Sequence, residues 1–572
     1  MRMLKGNPIS RGIALGKLYI YQAFTPDVHE AYCEAGQEHE QFHKFNQALQ
    51  TAGEELDKIV VSLTADSPDK AKIFTAHKEI LYDEEVADQV EEMILNSRAM
   101  PDYAVDMVFT QFAELLSQVD DPLIAARATD LLDVRNRVLR ILQGEEEHNL
   151  SSLTEEVIIV AHDLLPSDTA TLDREKVLGI ITEVGGETSH TAIIARSYKI
   201  PAVLGVPEAT KILKNDQFVV LDALEGKVLM APDDATVEEY ELKYAEFEKN
   251  EVEANKYLDK PSITASGEKF SIGLNIGSDE PNESIKFGDF IGLFRTEFLY
   301  MESDHMPTEE EQFKAYKRVL ANAQGKPVTL RTLDIGGDKS LKYMVLPQED
   351  NPFLGNRALR LCLSQPDLFK TQLRAALRAS AFGELEIMFP MVGTIDDIRN
   401  AKAVVEEVKT ELRSEEIPFN ENIKVGIMIE IPSIALMADA AASEVDFASV
   451  GTNDLTQYTH AVDRMNADLV DYFQSMSPAM FRLLGNVFSE FNKAGKPISV
   501  CGELAGDPAG AVVLIGLGLR KLSMNGANIA HVKQTVSKFT LDEMEAIADK
   551  AKAKATQEEV VDFLEEQIAK HE

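Results

Sequence analysis

Gly185-Gly186-Glu187-Thr188-Ser189-His190-Thr191-Ala192-Ile193-Ile194-Ala195-Arg196 follows the apolar run Val177-Leu178-Gly179-Ile180-Ile181-Thr182. Together they read as strand, glycine turn and helix. Two glycines permit a tight turn with backbone angles that other residues avoid. Thr188 or Ser189 can cap a helix that begins near His190, and the Ala-Ile-Ile-Ala run continues it. His190 then stands where free N–H groups and the positive end of the helix dipole point, a place suited to a phosphate. Two readings stay open on these residues alone. His190 is a nucleophile that becomes phosphorylated, or it is an ordinary histidine in a first helical turn.

Working outward, Val157-Ile158-Ile159-Val160-Ala161 has strand character, and strand, turn and helix alternate from there to Val228-Leu229-Met230. This is a compact α/β unit. Residues 4–22 read as a short strand pair around Gly12 and Gly16 that closes onto it. Between them, over 30–143, glycine and proline become rare and apolar residues recur at helical spacing, as in Ile73, Ala76 and Ile80. This texture predicts three or four helices inserted into the α/β unit, punctuated by Pro68, Pro101 and Pro122. A charged segment without glycine or proline follows Pro232, and it predicts a helical connector and hinge arm.

The last half carries eight short apolar strand candidates separated by helical stretches, at 271–277, 290–296, 328–335, 385–391, 424–431, 446–452, 497–502 and 519–525. Eight such units predict a (β/α)8 TIM-type barrel, whose active site lies at the C-terminal strand ends. The expected domains are therefore an α/β domain bearing His190 over 1–29 and 144–230, an inserted helical bundle over 30–143, a linker over 231–260, and a barrel over 261–572.

Composition narrows the function. The 572 residues include 57 Lys+Arg against 96 Asp+Glu, a net charge of −39. That sign argues against nonspecific binding to nucleic acid or anionic membranes. The three cysteines, Cys33, Cys362 and Cys501, form no disulfide or zinc spacing. No apolar signal core or membrane-length run occurs, so a cytoplasmic protein is expected.

The predicted strand ends carry the chemistry. Arg295, Arg331 and Arg464 converge on one barrel mouth, with Lys339 and Arg357 nearby. Buried arginines need paired carboxylates or an anionic ligand. Glu430 and Asp454 suit Mg2+, which takes one or two carboxylates and completes its shell with water and substrate oxygens. A small, multiply anionic, metal-binding ligand such as phosphoenolpyruvate fits. Cys501 can donate a proton to its enol carbon, or is a buried small hydrophobe in a strand. Salt bridges at a barrel rim are the structural alternative for the charged residues.

The motifs GGETSHTAIIARSYKIPAVLG (185–205), GLFRTEFLYM (292–301), LRTLDIGGDK (330–339), DNPFLGNR (350–357), IMFPM (387–391), GTNDLTQYT (451–459) and CGELAGD (501–507) go further. The chain resembles Enzyme I of the bacterial phosphoenolpyruvate:sugar phosphotransferase system over nearly its whole length. The resemblance implies that His190 is phosphorylated and that Arg295, Arg331, Arg464, Asn453 and Asp454 bind phosphoenolpyruvate. It implies that Lys339 and Arg357 add positive charge, that Glu430 and Asp454 hold Mg2+, and that Cys501 protonates the enolate. It further implies docking of the phosphocarrier HPr on the helical insertion, a homodimer through the barrel, and Thr169 near the resting histidine. Two positions depart from the family's usual pattern: Glu187 where arginine is frequent, and Leu132 where a basic residue is usual.

A pyruvate phosphate dikinase or phosphoenolpyruvate synthase shares the Thr-Ser-His helix and the barrel. Such enzymes need a large nucleotide-binding domain ahead of the histidine, where this chain has its helical segment. A non-catalytic phosphoenolpyruvate-binding regulator is expected to lose strand-end residues, and none is lost here.

Overall fold

Every residue of Val157-Ile158-Ile159-Val160-Ala161 is buried, which marks a strand covered on both faces. It belongs to an eight-stranded sheet in a computed structural model that describes all but residues 1, 22–23, 25, 65–67, 118–121, 146–149, 151–152, 154, 165–167, 169–171, 174, 186–188, 302, 304, 337–340, 342, 345–348, 465 and 572. The chain forms two compact units, Met1–Asn250 and Glu251–Glu572.

In the first unit the strands are β1 (Arg2–Lys5), β2 (Asn7–Ser10), β3 (Ile13–Ile20), β4 (Val157–Ala161), β5 (Val177–Thr182), β6 (Ala202–Leu204), β7 (Phe218–Asp222) and β8 (Lys227–Met230). Their order is β1-β8-β7-β3-β4-β5-β6-β2. Alternate residues of β4 face two apolar layers, Ile159 with Ile180, Ala192 and Leu204, and Ile158 with Leu18, Val203 and Leu221. The predicted strand pair near the N-terminus is corrected. Residues 2–20 form three strands that do not pair with one another: β1 joins β8, β2 joins β6, and β3 lies between β4 and β7. The turns at Gly6 and Gly12 send successive strands to different places in the sheet, and strands of four residues carry too little pattern to reveal their partners.

The insertion between β3 and β4 holds five helices among the described residues, not three or four: α1 (Glu38–Thr64), α2 (Pro68–Leu81), α3 (Glu84–Ser97), α4 (Pro101–Ser117) and α5 (Pro122–Leu142). Pro68, Pro101 and Pro122 each open a helix, where a missing N–H costs nothing. The overlooked boundary has no proline or glycine. Asp83 caps α3 by accepting from the N–H groups of Glu85 and Val86. The bundle has its own core, built on Phe45, Leu56, Phe74, Ile94, Phe109 and Val138.

A helix, Asp234–Asn255, follows β8. The second unit is a closed barrel of eight parallel strands: β9 (Ser271–Ile276), β10 (Phe290–Arg295), β11 (Val328–Arg331), β12 (Leu385–Phe389), β13 (Lys424–Ile429), β14 (Phe447–Val450), β15 (Ile498–Val500) and β16 (Lys521–Met524). One large core joins strands and outer helices. A smaller apolar cluster contains Leu293, Met388, Met428, Phe447 and Cys501. Among the described residues no helix is long and apolar enough to cross a membrane.

Candidate active site

Two arginines at the barrel mouth share one carboxylate. Arg331 ends β11, and Arg357 precedes the helix Ala358–Ser364. Asp334 Oδ2 stands 3.0 Å from Arg331 Nη1, while Asp334 Oδ1 accepts from Arg357 Nη2 at 2.7 Å. Glu297 Oε1 accepts from Arg331 Nη2 at 2.9 Å and from the Asp334 N–H at 3.2 Å. All four side chains are buried. Burial alone would lower the pKa of Arg331. Glu297, Asp334, Glu430 and Asp454 outweigh it and push the pKa up, so the guanidinium stays charged. Arg357 is likewise pushed up, its burial outweighed by Asp334 and Asp454. The Nε atoms of Arg331 and Arg357 are buried without a hydrogen-bond partner among the described residues.

Arg295 ends β10. Its side chain is crowded by neighbouring protein yet open to solvent, as a side chain lining a concave mouth is. Burial and the charge of Arg331 lower its pKa. A ligand anion would relieve both.

The opposing charges come from the next strands. Glu430 follows β13, and its Oε1 accepts the Met391 N–H at 2.5 Å. Burial, then the charges of Asp454 and Asp334, push its carboxyl up. Asp454 lies in the first turn of the helix Thr452–His460. Its Oδ1 is 3.4 Å from Arg464 Nη2 but accepts no hydrogen bond among the described residues. Beside it, Asn453 Oδ1 accepts the Glu503 N–H at 3.0 Å. Two close carboxylates, one with an orphaned oxygen, fit a divalent cation. Among the described residues no cluster of three or more His, Cys, Asp or Glu could hold a metal. That donor set suits an ion that keeps most of its shell for water and substrate oxygens.

Cys501 follows β15. Its N–H donates to Val450 O at 3.0 Å, and its Sγ lies 3.6 Å from the same oxygen. Burial pushes the thiol up, opposed by the Ser449 hydroxyl and by Arg331. A thiol shifted this way keeps its proton near neutral pH, as a proton donor must.

The structure thus brings Arg295, Arg331, Arg357, Glu430, Asn453, Asp454, Arg464 and Cys501 to the C-terminal strand ends of one barrel. Lys339, Glu187 and Thr169 lie outside the described residues. His190 begins the helix His190–Tyr198, whose cap is Ser189, accepting the Ala192 N–H at 3.2 Å. The His190 side chain lies outside the described part. Leu132 packs against the bundle core. Sequence reasoning missed Glu297, Asp334 and Tyr458. The first two stand inside quoted motifs, two residues after Arg295 and three after Arg331, and that spacing was the available signal. Tyr458 donates from its hydroxyl to Phe353 O at 2.6 Å and tethers the helix bearing Asp454 to the loop before Arg357.

Three family descriptions match in succession: the N-terminal region of PEP-utilising enzymes over 5–127, their mobile domain over 153–226, and their PEP-binding domain over 251–541. Fold and site therefore define the class of PEP-utilising enzymes. A phosphoenolpyruvate-protein phosphotransferase of Bacillus subtilis (strain 168) is 43% identical over 569 residues, covering 99% of this chain and 100% of its own. One of Staphylococcus carnosus (strain TM300) is 44% identical over 571 residues, covering 99% of each chain. The NMR solution structure of an Enzyme I (nEIt) protein is 42% identical and covers 43% of this chain and 99% of its own, with a TM-score of 0.40. The chain belongs to the phosphoenolpyruvate-protein phosphotransferase family.

Proposed function

We propose that the chain transfers the phosphoryl group of phosphoenolpyruvate to its own His190. From there the group passes to a histidine of the phosphocarrier HPr, and pyruvate is released. This is the first step of sugar uptake by the phosphotransferase system, and we place it in the cytoplasm. The observation that carries the barrel half is the meeting at one mouth of buried arginines whose Nε groups have no hydrogen-bond partner among the described residues, the carboxylates of Glu430 and Asp454, and the buried Cys501 thiol.

Phosphoryl transfer needs alignment and charge neutralisation more than covalent help. In our assignment Arg295, Arg331 and Arg464 bind the substrate's anionic groups, and Asn453 and Asp454 orient it. Lys339 and Arg357 add charge around the phosphoryl group. Glu430 and Asp454 would hold Mg2+, which when bound supplies further neutralisation of the transferring group. Cys501 delivers a proton to the enolate carbon. We assign HPr docking to the inserted bundle and flexing during the cycle to the helix Asp234–Asn255. We also propose a homodimer through the barrel, supported by the exposed apolar side chains of Leu354, Leu436, Met437 and Tyr472 in the segments after β11, β13 and β14.

The test is label transfer from phosphoenolpyruvate carrying labelled phosphate, with Mg2+, purified HPr and no nucleotide. The label is expected on the chain and then on HPr. Labelling that survives His190→Ala refutes the nucleophile, and a strict ATP requirement refutes the reaction.

A further inference from the structure

Asn275, which no step above uses, reaches across a whole strand to hold the peptide of Cys501. It lies near the C-terminal end of β9, and β16 runs between β9 and β15. Asn275 Nδ2 donates to the Cys501 carbonyl at 2.8 Å and, more weakly at 3.5 Å, to the Ser523 carbonyl. Asn275 Oδ1 accepts from the Ser523 hydroxyl at 2.7 Å. Two carbonyls on one side and a hydroxyl on the other admit a single amide orientation, because only the nitrogen can donate to a carbonyl.

The contact falls where the sheet is thin. β15 and β16 share one ladder position, Val500 with Leu522, so ladder pairing stops short of Cys501 on that side. On the other side the Cys501 N–H is held by Val450 O at 3.0 Å. The amide of Asn275 takes over where the ladder ends, and the backbone of Cys501 is held at its N–H on one flank and at its carbonyl on the other. Space for the Ser523 hydroxyl comes from Gly292 on β10, where a Cβ would stand 2.5 Å from Ser523 Oγ.

We propose that Asn275 is a positioning residue for the proton transfer from Cys501, with Ser523 orienting its amide. The proposal rests on the donor role assigned to Cys501 above. In that step the S–H bond breaks and a C–H bond forms at the enolate's terminal carbon. The enolate electrons form that bond while C–O regains its carbonyl character. Sulfur keeps its electron pair as thiolate and then takes a proton from water. A displacement of about 1 Å can cost on the order of a hundredfold in such a transfer. A loosened peptide therefore slows protonation without weakening the anion site.

The experiment compares wild type, Asn275→Ala, Ser523→Ala and Cys501→Ala for pyruvate formation. KM for phosphoenolpyruvate and the solvent isotope effect are read alongside. Asn275→Ala is expected to lower kcat by about tenfold, with KM within about twofold and a larger solvent isotope effect, the split expected when only the transition state is affected. Ser523→Ala, a smaller change that keeps the barrel filled, is expected to lower kcat about threefold in the same pattern, and it decides the matter if Asn275→Ala does not fold. Unchanged kcat in the folded variants overturns the proposal, as does a fall in kcat with a matching rise in KM and no change in isotope effect. Wild-type turnover in Cys501→Ala removes the donor role itself. A Cys501-dependent enzyme indifferent to Asn275 removes the positioning role alone.

Discussion

Arg357 Nη2 donates to Asp334 Oδ1 at 2.7 Å, and the side chains are 2% and 3% exposed. The other oxygen of that carboxylate faces Arg331 Nη1 at 3.0 Å, so one anion serves two buried cations. Such a pair adds little net stability over an apolar core, but breaking it strands a charge. Asp334→Asn is expected to destabilise the barrel unit by about 3–5 kcal/mol, the usual cost of leaving a buried ion uncompensated. Urea unfolding measures this, and a change below about 1 kcal/mol, typical of an exposed pair, would contradict the arrangement.

The Cys501 thiol gives a pH test. Burial raises its pKa above the ordinary 9.0, so the folded state holds this proton more tightly than the unfolded chain does. The stability it contributes is fully present below 9.0 and is lost as pH rises through the folded value. Alkylation by iodoacetamide, followed at the Cys501 peptide by mass spectrometry, should stay slow up to pH 9.0 and accelerate only above it. Half-maximal reactivity below that point would contradict the upward shift, and half-maximal reactivity near neutral pH would undercut the donor.

Gly502 allows two strand ends to touch. A Cβ there would lie 1.9 Å from Thr452 Oγ1 and 2.6 Å from the Thr452 backbone nitrogen. Thr452 immediately precedes Asn453 and Asp454, so the clash moves both. Gly502→Ala should cost about 1–3 kcal/mol, in the range for overpacking, and raise KM for phosphoenolpyruvate. Gly277→Ala, where a Cβ meets nothing within 4 Å, is the control and should leave the melting temperature and KM unchanged.

The barrel was legible because parallel strands buried on both faces read as apolar runs, and each run ends in a residue of distinct chemistry. Arg331, Glu430 and Cys501 could be named for that reason. Glu297 and Asp334 offered only their spacing from Arg295 and Arg331, since a carboxylate beside an arginine reads the same whether it pairs inward or faces water. Only the distances to Arg331 and Arg357 separate those cases. Residues 2–20 defeated prediction differently. Their partners lie as far as 228 positions away, as Arg2 with Met230 shows, and local pattern carries no record of so distant a pairing. The α2–α3 boundary was hidden because a capping aspartate, unlike a proline or glycine, leaves the apolar rhythm unbroken.

The two edges of the α/β sheet are β1 and β2, neighbours in the chain separated by Gly6 alone. Each waits for a partner made much later, β6 for β2 and β8 for β1. On the ribosome, the residues that emerge early are therefore among the last to find their places. The helical insertion, rich in local contacts, is complete long before. The histidine-bearing sheet cannot close until Met230 has left the exit tunnel. The strands β1 and β2 act as a clasp fastened late in that unit's synthesis, and a nascent chain stalled before Met230 leaves β1 without its partner.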